Sequence, residues 1–70
     1  MLKYLIVIEK AKHNYSAYLP DIPGCIATGK TTEEVKKNMA EALAMHLHGL
    51  VEDGLASPEP KAKADYVAVS

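Results

Sequence analysis

One stretch of the chain has the residue types and spacing of a phosphate-binding loop. Residues 24–31 read Gly-Cys-Ile-Ala-Thr-Gly-Lys-Thr, which fits the G-x-x-x-x-G-K-[ST] pattern of nucleotide-binding P-loops. The first glycine, however, follows a Pro-Asp-Ile-Pro turn instead of a buried parallel strand, and the four intervening residues favour a strand. No later predicted strand ends in an aspartate that would hold magnesium, since Asp65 precedes its strand. We interpret the match as a coincidence.

Metal binding requires side chains that converge on one point, and the histidine spacing does not provide this. His46 and His48 are two positions apart on a predicted helix, so they point to opposite sides of it. His48 and Glu52 are four positions apart and share a face, for which an exposed polar surface is the favoured interpretation over a shared ion. We therefore expect no metal site and no cofactor.

Catalysis by a cysteine or by paired carboxylates also lacks the necessary partners. Cys25 is the single cysteine, and no second polar member of a catalytic triad lies near it, so a small buried strand residue is expected. Two-metal phosphodiester cleavage needs three or four convergent acids, whereas Glu9, Glu41 and Asp65 do not complete a site. These residues predict a protein that is not an enzyme.

Length and charge exclude several further classes of protein. Seventy residues allow one domain over 1–70, and a compact chain of that length has a radius of gyration of roughly 11 Å. Eight lysines, no arginine and nine acids give a net charge of −1, which disfavours autonomous nucleic-acid binding. The N-terminal apolar run is too short for a signal peptide or a membrane span. With a lone cysteine, these features indicate a cytoplasmic protein without membrane contact.

Hydrophobic periodicity predicts four strands and one long helix. Thr31 and Glu34 form a capping-box pattern at the start of the helix, and Gly54 provides its stop. A linker at 57–61 precedes the last strand. The predicted strands are Leu2–Glu9, Tyr15–Leu19, Cys25–Thr28 and Tyr66–Val69, and the predicted helix is Thr32–Asp53.

This order predicts an α+β fold of β-β-β-α-β type, with one helix on one face of a four-stranded mixed sheet. Strands 1–3 are antiparallel, and the helical crossover places strand 4 beside strand 1 and parallel to it. One helix covers only one face, and at about 33 Å it overhangs the sheet. We therefore expect a homo-oligomer, a dimer or a tetramer. Its interface residues are predicted to be Leu5, Val7, Leu47, Leu50 and Val51.

Several stretches of the chain together resemble the HicB-like antitoxin domain. The stretches are residues 15–25, 29–34, 38–43, 46–54 and 58–60, with Pro-Asp-Ile-Pro-Gly-Cys and Glu-Asp-Gly the most specific. The resemblance covers roughly positions 2 to 69. It implies a reduced ribonuclease H-like fold without catalysis. It also implies a partner, a HicA-type toxin that cleaves messenger RNA and is occluded by the antitoxin.

The resemblance also suggests which residues hold the turn and which meet the partner. We expect Tyr15, Pro20, Pro23, Gly24, Cys25 and Gly29 to maintain the turn and the fold around it. Among the acids, Asp21 is predicted to be exposed on the rigid turn and to contact the toxin. The other acids predicted to meet a basic toxin surface are Glu41, Glu52 and Asp53.

One departure from the family pattern limits what the resemblance implies. Many HicB proteins carry a C-terminal DNA-binding module, whereas this sequence stops at Ser70, straight after the last predicted strand. We therefore expect no such module here and do not extend promoter binding to this chain. The alternative to an antitoxin is an orphan oligomeric domain that binds a small ligand or another protein and has no toxin partner.

Overall fold

The computed structural model describes residues 2–70, which form three strands and one helix. Strands β1 (Val7–Lys10), β2 (Tyr15–Tyr18) and β3 (Ile26–Gly29) pair antiparallel in the order β1-β2-β3, and helix α1 spans Thr32–Glu52. The α+β class, the first three strands and the helix are confirmed in the predicted order. The first strand begins five residues later than predicted, because the segment before Val7 has no sheet partner.

The cross-strand register explains which face of the sheet meets the helix. Ile8, Ala17 and Ala27 lie in one row across the three strands, and all three belong to the core or pack against it. The next row, Val7, Tyr18 and Ile26, therefore faces away from the helix. Tyr18 is 43% exposed and Ile26 71% exposed, so the outer face carries uncovered apolar side chains, as the sequence predicts.

The core lies between β2, the 19–25 turn and the first half of α1. Helix α1 packs mainly on β3 and also on β2. Gly29 permits this close packing, since a Cβ at that position would lie 2.7 Å from the backbone nitrogen of Val35. The buried residues of the core are Ala17, Leu19, Ile22, Cys25, Val35 and Met39.

Both ends of α1 have the capping interactions that the sequence predicts. The Thr31 hydroxyl accepts a hydrogen bond from the Glu34 amide at 3.0 Å, and the Glu34 carboxylate accepts one from the Lys30 amide at 3.3 Å. At the other end, Gly54 has φ +73°, and the Leu55 amide donates to the Leu50 carbonyl at 2.8 Å. The helix ends one residue before its predicted end.

The predicted fourth strand is not formed within the single chain, so the four-stranded mixed sheet is replaced by a three-stranded antiparallel one. Residues 55–70 contain no helix or strand. Tyr66, Val67 and Val69 are 98%, 93% and 95% exposed, so the segment lies away from the sheet. A strand requires a neighbouring backbone, and this segment has none. The first strand, predicted to lie in the middle of the sheet, is consequently at its edge.

Candidate functional site

The Pro-Asp-Ile-Pro-Gly motif forms a turn that is stabilised by backbone hydrogen bonds between residues of the 19–25 segment. The Ile22 amide donates to the Leu19 carbonyl at 3.1 Å, and the Cys25 amide donates to the Ile22 carbonyl at 3.2 Å. Gly24 adopts φ +84°, a conformation that glycine accepts without strain. Ile22 is fully buried, which anchors the turn in the core. These contacts hold the turn against the core.

Asp21 differs from the prediction of an exposed acid that is free to contact a partner. Its side chain is half-buried, and its carboxylate accepts hydrogen bonds from the Lys61 amide at 3.1 Å and the Ala62 amide at 3.0 Å and 3.2 Å. The Tyr4 hydroxyl donates to the Pro58 carbonyl at 2.6 Å in the same region. Asp21 therefore fastens the segment that follows the helix onto the turn.

Cys25 lies in the core, and Tyr15 lies against it. Cys25 is 4% exposed, and its thiol donates to the Met39 sulfur at 3.7 Å. Desolvation raises the pKa of the Cys25 thiol above its ordinary value, which disfavours the thiolate. Tyr15 is half-buried and packs against the core. Cys25 itself lies immediately before β3 rather than within it.

The C-terminal end of α1 combines exposed apolar side chains with acidic ones. Met45 is 77% exposed, Val51 67% and Leu55 57%. Glu52 is exposed beside them, and Asp53 is the C-cap residue. The last turn contains no basic residue, so both carboxylates add to the negative end of the helix dipole. We call Met45, Val51, Glu52, Asp53 and Leu55 the helix-end surface.

A stripe of exposed side chains extends the helix-end surface along α1. Glu41, Met45, His48 and Glu52 follow each other at intervals of four, three and four residues, which places them on one side of the helix. The His48 Nε2 atom lies 2.9 Å from the Glu52 Oε1 atom. The two residues are four positions apart on the helix, and both of their side chains are exposed.

The predicted partner-binding acids therefore divide into two groups. Glu41, Glu52 and Asp53 lie on or next to the helix-end surface, whereas the Asp21 carboxylate is already hydrogen-bonded within the chain. Sequence reasoning missed Met45 and Leu55. The spacing of Met45 from Glu41 and Glu52 is the signal that places it on their exposed side.

The residues predicted for an oligomer interface lie in two separate places. Leu5 and Val7 are half-buried, and Val7 belongs to the uncovered outer face of the sheet. At the end of α1, Leu47 and Leu50 are half-buried and Val51 is exposed. Of this second group, Val51 also belongs to the helix-end surface.

A cleft lies at the opposite end of α1, around the P-loop-like residues. Its volume is about 660 Å³, and it opens widely to solvent. Residues Ile26–Gly29 form strand β3 and the Thr31 hydroxyl caps the helix, so the motif does not fold as a phosphate-binding loop. The lining side chains are mostly exposed and polar. They belong to residues 11–14, 28–30, 34 and 38.

A metal-binding cluster and a membrane-spanning helix are both absent from the part of the chain that the structure describes. Within residues 2–70, no three His, Cys, Asp or Glu side chains converge as ligands for an ion. In the same range, no helix combines the length and the apolar character needed to cross a bilayer.

Comparison with known proteins relates nearly the whole chain to one family. A family model described as "HicB_like antitoxin of bacterial toxin-antitoxin system" matches residues 4–69. Among solved structures, the chain is similar to one in a "HicA3 and HicB3 toxin-antitoxin complex", with a TM-score of 0.70 and 37% identity. That match covers 86% of this chain and 70% of the solved one.

Three curated relatives have no assigned activity in their names. A UPF0150 protein of Helicobacter pylori is 42% identical over 50 residues, covering 71% of this chain and 69% of the relative. A second UPF0150 protein, from Thermoplasma acidophilum, is 30% identical over 63 residues, covering 89% and 91%. An uncharacterized 14.9 kDa protein of Haemophilus phage HP1 is 36% identical over 64 residues, covering 91% and 48%. The chain thus spans about half the length of the phage relative.

Proposed function

The chain belongs to the family of HicB-like antitoxins, and on that premise we propose that it binds a small HicA-type toxin and covers its active site. The mechanism is stoichiometric rather than catalytic. A folded surface of this chain excludes messenger RNA from the toxin for as long as the two proteins remain bound. Because messenger RNA is the target, we place this activity in the cytoplasm.

The observation that carries the proposal is the similarity to a chain from a solved toxin–antitoxin complex. That chain shares 37% identity with this one, and the similarity extends over 86% of this chain. Similarity over this share of the chain indicates that the two chains have the same overall fold. This supports a protein partner more strongly than a small ligand.

The charge of the helix-end surface supports a basic partner. A toxin that holds RNA needs positive charge near its active site, because it must neutralise phosphate groups. Glu52 and Asp53 at the negative end of the α1 dipole, with Glu41 farther along the stripe, offer the opposite charge. Such complementarity raises the association rate and the specificity of docking.

The C-terminal part of α1 and the segment after it also carry exposed apolar side chains that offer area for a partner to bury. Met45, Val51 and Leu55 are all more than half exposed in the single chain. Methionine adapts its shape to a partner, and apolar groups surrounded by charged ones are typical of interface centres. We therefore propose the helix-end surface as the docking site for the toxin.

Co-expression tests the function directly in cells. The gene is expressed together with its neighbouring open reading frames, among which the proposal expects one of roughly 60–80 codons, the size of a single small toxin domain. We expect the neighbouring frame alone to arrest growth, and this chain to restore growth and to co-purify with its product. A toxin that stays active in the presence of well-folded chain would contradict the proposal and favour the orphan domain.

A further inference from the structure

We infer that the cleft beside the start of α1 binds a polypeptide segment rich in aspartate or glutamate. The cleft is separate from the helix-end surface, and such binding is a property of the chain itself that does not require a toxin. The charges that line the cleft, the hydrogen bonds that hold its walls and the groups that it offers to a ligand all favour this class of partner.

The cleft gathers positive charge from two different parts of the chain. Lys12 lies in the loop between β1 and β2, and Lys30 lies between β3 and α1. Both lysines are exposed and line the same open space of about 660 Å³. Lys10 adds a third lysine nearby, because it pairs with Tyr15, which in turn pairs with Gly29 at the cleft. Several ammonium groups around one space attract a partner that carries several negative charges.

The acid within the cleft offsets only part of this positive charge. Among the described residues that line the cleft, Glu34 supplies one carboxylate against Lys12 and Lys30. The Glu34 Oε1 atom accepts the hydrogen bond from the Lys30 amide, so this carboxylate is held at the start of the helix. The acids of the helix-end surface begin at Glu52, about 27 Å farther along the helix. That distance is several times the screening length of about 8 Å at physiological ionic strength.

Hydrogen bonds hold the walls of the cleft before any ligand arrives. The Ala11 amide donates to the Asn14 carbonyl at 2.8 Å, which closes the loop between β1 and β2. The Asn38 side-chain amide donates to the Thr28 carbonyl at 2.8 Å, which ties α1 to β3. A site whose walls are already ordered loses less conformational entropy when it binds a partner.

The groups that the cleft offers suit a polypeptide better than a nucleic acid. Asn14 and Asn38 line it with side-chain amides, which donate as well as accept hydrogen bonds. A peptide backbone presents both donors and acceptors, whereas a phosphate group presents acceptors. The ring that lines the cleft is the His13 imidazole, so successive bases would find little surface on which to stack.

The open shape of the cleft suits a segment of a larger partner. The cleft opens widely to solvent, whereas pockets for small ligands enclose most of the ligand surface. An extended acidic segment can lie across the opening and place its carboxylates between Lys12 and Lys30. Because these lysines are exposed, salt screens the attraction, and binding should weaken as the ionic strength rises.

Nuclear magnetic resonance of the full chain tests this binding with a defined probe. An isotope-labelled chain is titrated with a hexaglutamate peptide whose ends are blocked, and with hexaglutamine as the uncharged comparison. We expect hexaglutamate to shift the amide signals of residues 11–14 and 28–30 until they saturate, and hexaglutamine to leave them in place. The affinity for hexaglutamate should fall several-fold as sodium chloride is added.

Two charge-reversal variants separate the cleft from the overall charge of the chain. Lys12→Glu combined with Lys30→Glu should weaken hexaglutamate binding by at least about tenfold. Lys3→Glu combined with Lys36→Glu makes the same change of charge at exposed lysines outside the cleft, and it should keep the affinity within about twofold. Circular dichroism should show that both variants fold, because all four side chains are exposed. Lys12→Gln combined with Lys30→Gln repeats the comparison by removing charge instead of reversing it.

Three results would overturn the assignment of the cleft. The first is the absence of a saturable shift with hexaglutamate. The second is an equal loss of affinity in the cleft variant and in its matched control, which would show that only the total charge matters. The third is tighter binding of hexauridylate RNA than of hexaglutamate, which would mark the cleft as a nucleic-acid site.

Discussion

At the residue scale, the Asp21 carboxylate has the best-defined polar contacts of the chain. It accepts hydrogen bonds from two backbone amides that lie 40 and 41 positions farther along the sequence. Asp21 thus joins the turn after β2 to the segment after α1. The sequence around Asp21 predicts an exposed turn. In the folded chain, the Asp21 side chain instead makes long-range hydrogen bonds to the Lys61 and Ala62 amides.

Replacing Asp21 should destabilise the fold even before any partner is considered. We expect Asp21→Ala to lower the free energy of unfolding by about 1–3 kcal/mol, because the exposed Lys61 amide and the half-buried Ala62 amide lose a charged acceptor. Urea denaturation followed by circular dichroism measures this loss. Glu59→Ala, an exposed acid in the same segment, should change stability by less than about 0.5 kcal/mol. Equal effects of the two substitutions would contradict the fastening role.

Cys25 should behave as a protected thiol whose ionisation opposes folding. Burial raises its pKa in the folded state, so the folded chain retains the proton that the unfolded chain releases. The associated stability is present below the pKa of the unfolded thiol and is lost as the pH rises through the raised pKa of the folded one.

Two measurements check this behaviour of Cys25. Alkylation by iodoacetamide at pH 8 should be much slower in the native chain than in the urea-unfolded one. Stability should also fall more steeply between about pH 8 and pH 10 in the unaltered chain than in Cys25→Ala, which lacks the thiol. A native thiol that reacts as fast as an unfolded one would show that the site is open.

At the element scale, the junction between β3 and α1 depends on one missing side chain. At Gly29, a Cβ would lie 2.7 Å from the Val35 nitrogen and 3.0 Å from the Val35 Cα. Both are backbone atoms, so the helix would have to move away from the sheet to make room. The glycine that completes the P-loop-like pattern is therefore explained by packing.

Two glycine-to-alanine substitutions should change the stability of the chain in opposite directions. We expect Gly29→Ala to cost about 1–3 kcal/mol through overpacking. Gly49→Ala, within α1 and with open space at its Cβ position, should stabilise the chain by about 0.5–1 kcal/mol. Thermal unfolding of both variants provides the comparison. If Gly29→Ala left the stability of the chain unchanged, this would contradict the close packing of Gly29 against the Val35 backbone.

Local patterns predicted the elements well, and they failed where a partner strand decides the outcome. Thr31, Glu34 and Gly54 determine the ends of α1 through contacts within a few residues, so the sequence reveals them. Tyr66–Val69 has an equally clear strand pattern, yet a strand forms only where another backbone accepts its hydrogen bonds. Periodicity carries no information about that second backbone.

The candidate site shows the same division between local and long-range information. The acids Glu41, Glu52 and Asp53 are exposed, and their contact with a partner stays a prediction. The engagement of Asp21 with Lys61 and Ala62 depends on how the chain returns after the helix. No short-range pattern in the sequence marks that return.

At the scale of the whole molecule, exposed apolar side chains occur in two separate parts of a small chain. Charged and exposed apolar groups gather at the end of α1, and the exposed residues Tyr66, Val67 and Val69 lie near the end of the described range. The charge of the helix-end surface suits a partner of opposite charge.

Reversing one charge at the end of α1 should separate binding from stability. We expect Glu52→Lys to weaken toxin binding by about tenfold, which corresponds to about 1.4 kcal/mol. The same substitution should leave stability unchanged or raise it by a few tenths of a kcal/mol, because a positive charge suits the C-terminus of a helix. Glu9→Lys makes the same charge change on β1 and should bind normally. Calorimetry with the purified toxin compares the variants.

The central claim is that this chain silences a toxin by covering it, and inhibition of RNA cleavage tests that claim most directly. The purified toxin is mixed with a labelled messenger RNA and increasing amounts of this chain. Cleavage should decline in proportion to added chain and stop at a fixed stoichiometric ratio, with Glu52→Lys requiring more protein than Glu9→Lys. Cleavage that continues at full rate in a large excess of folded chain would contradict the account.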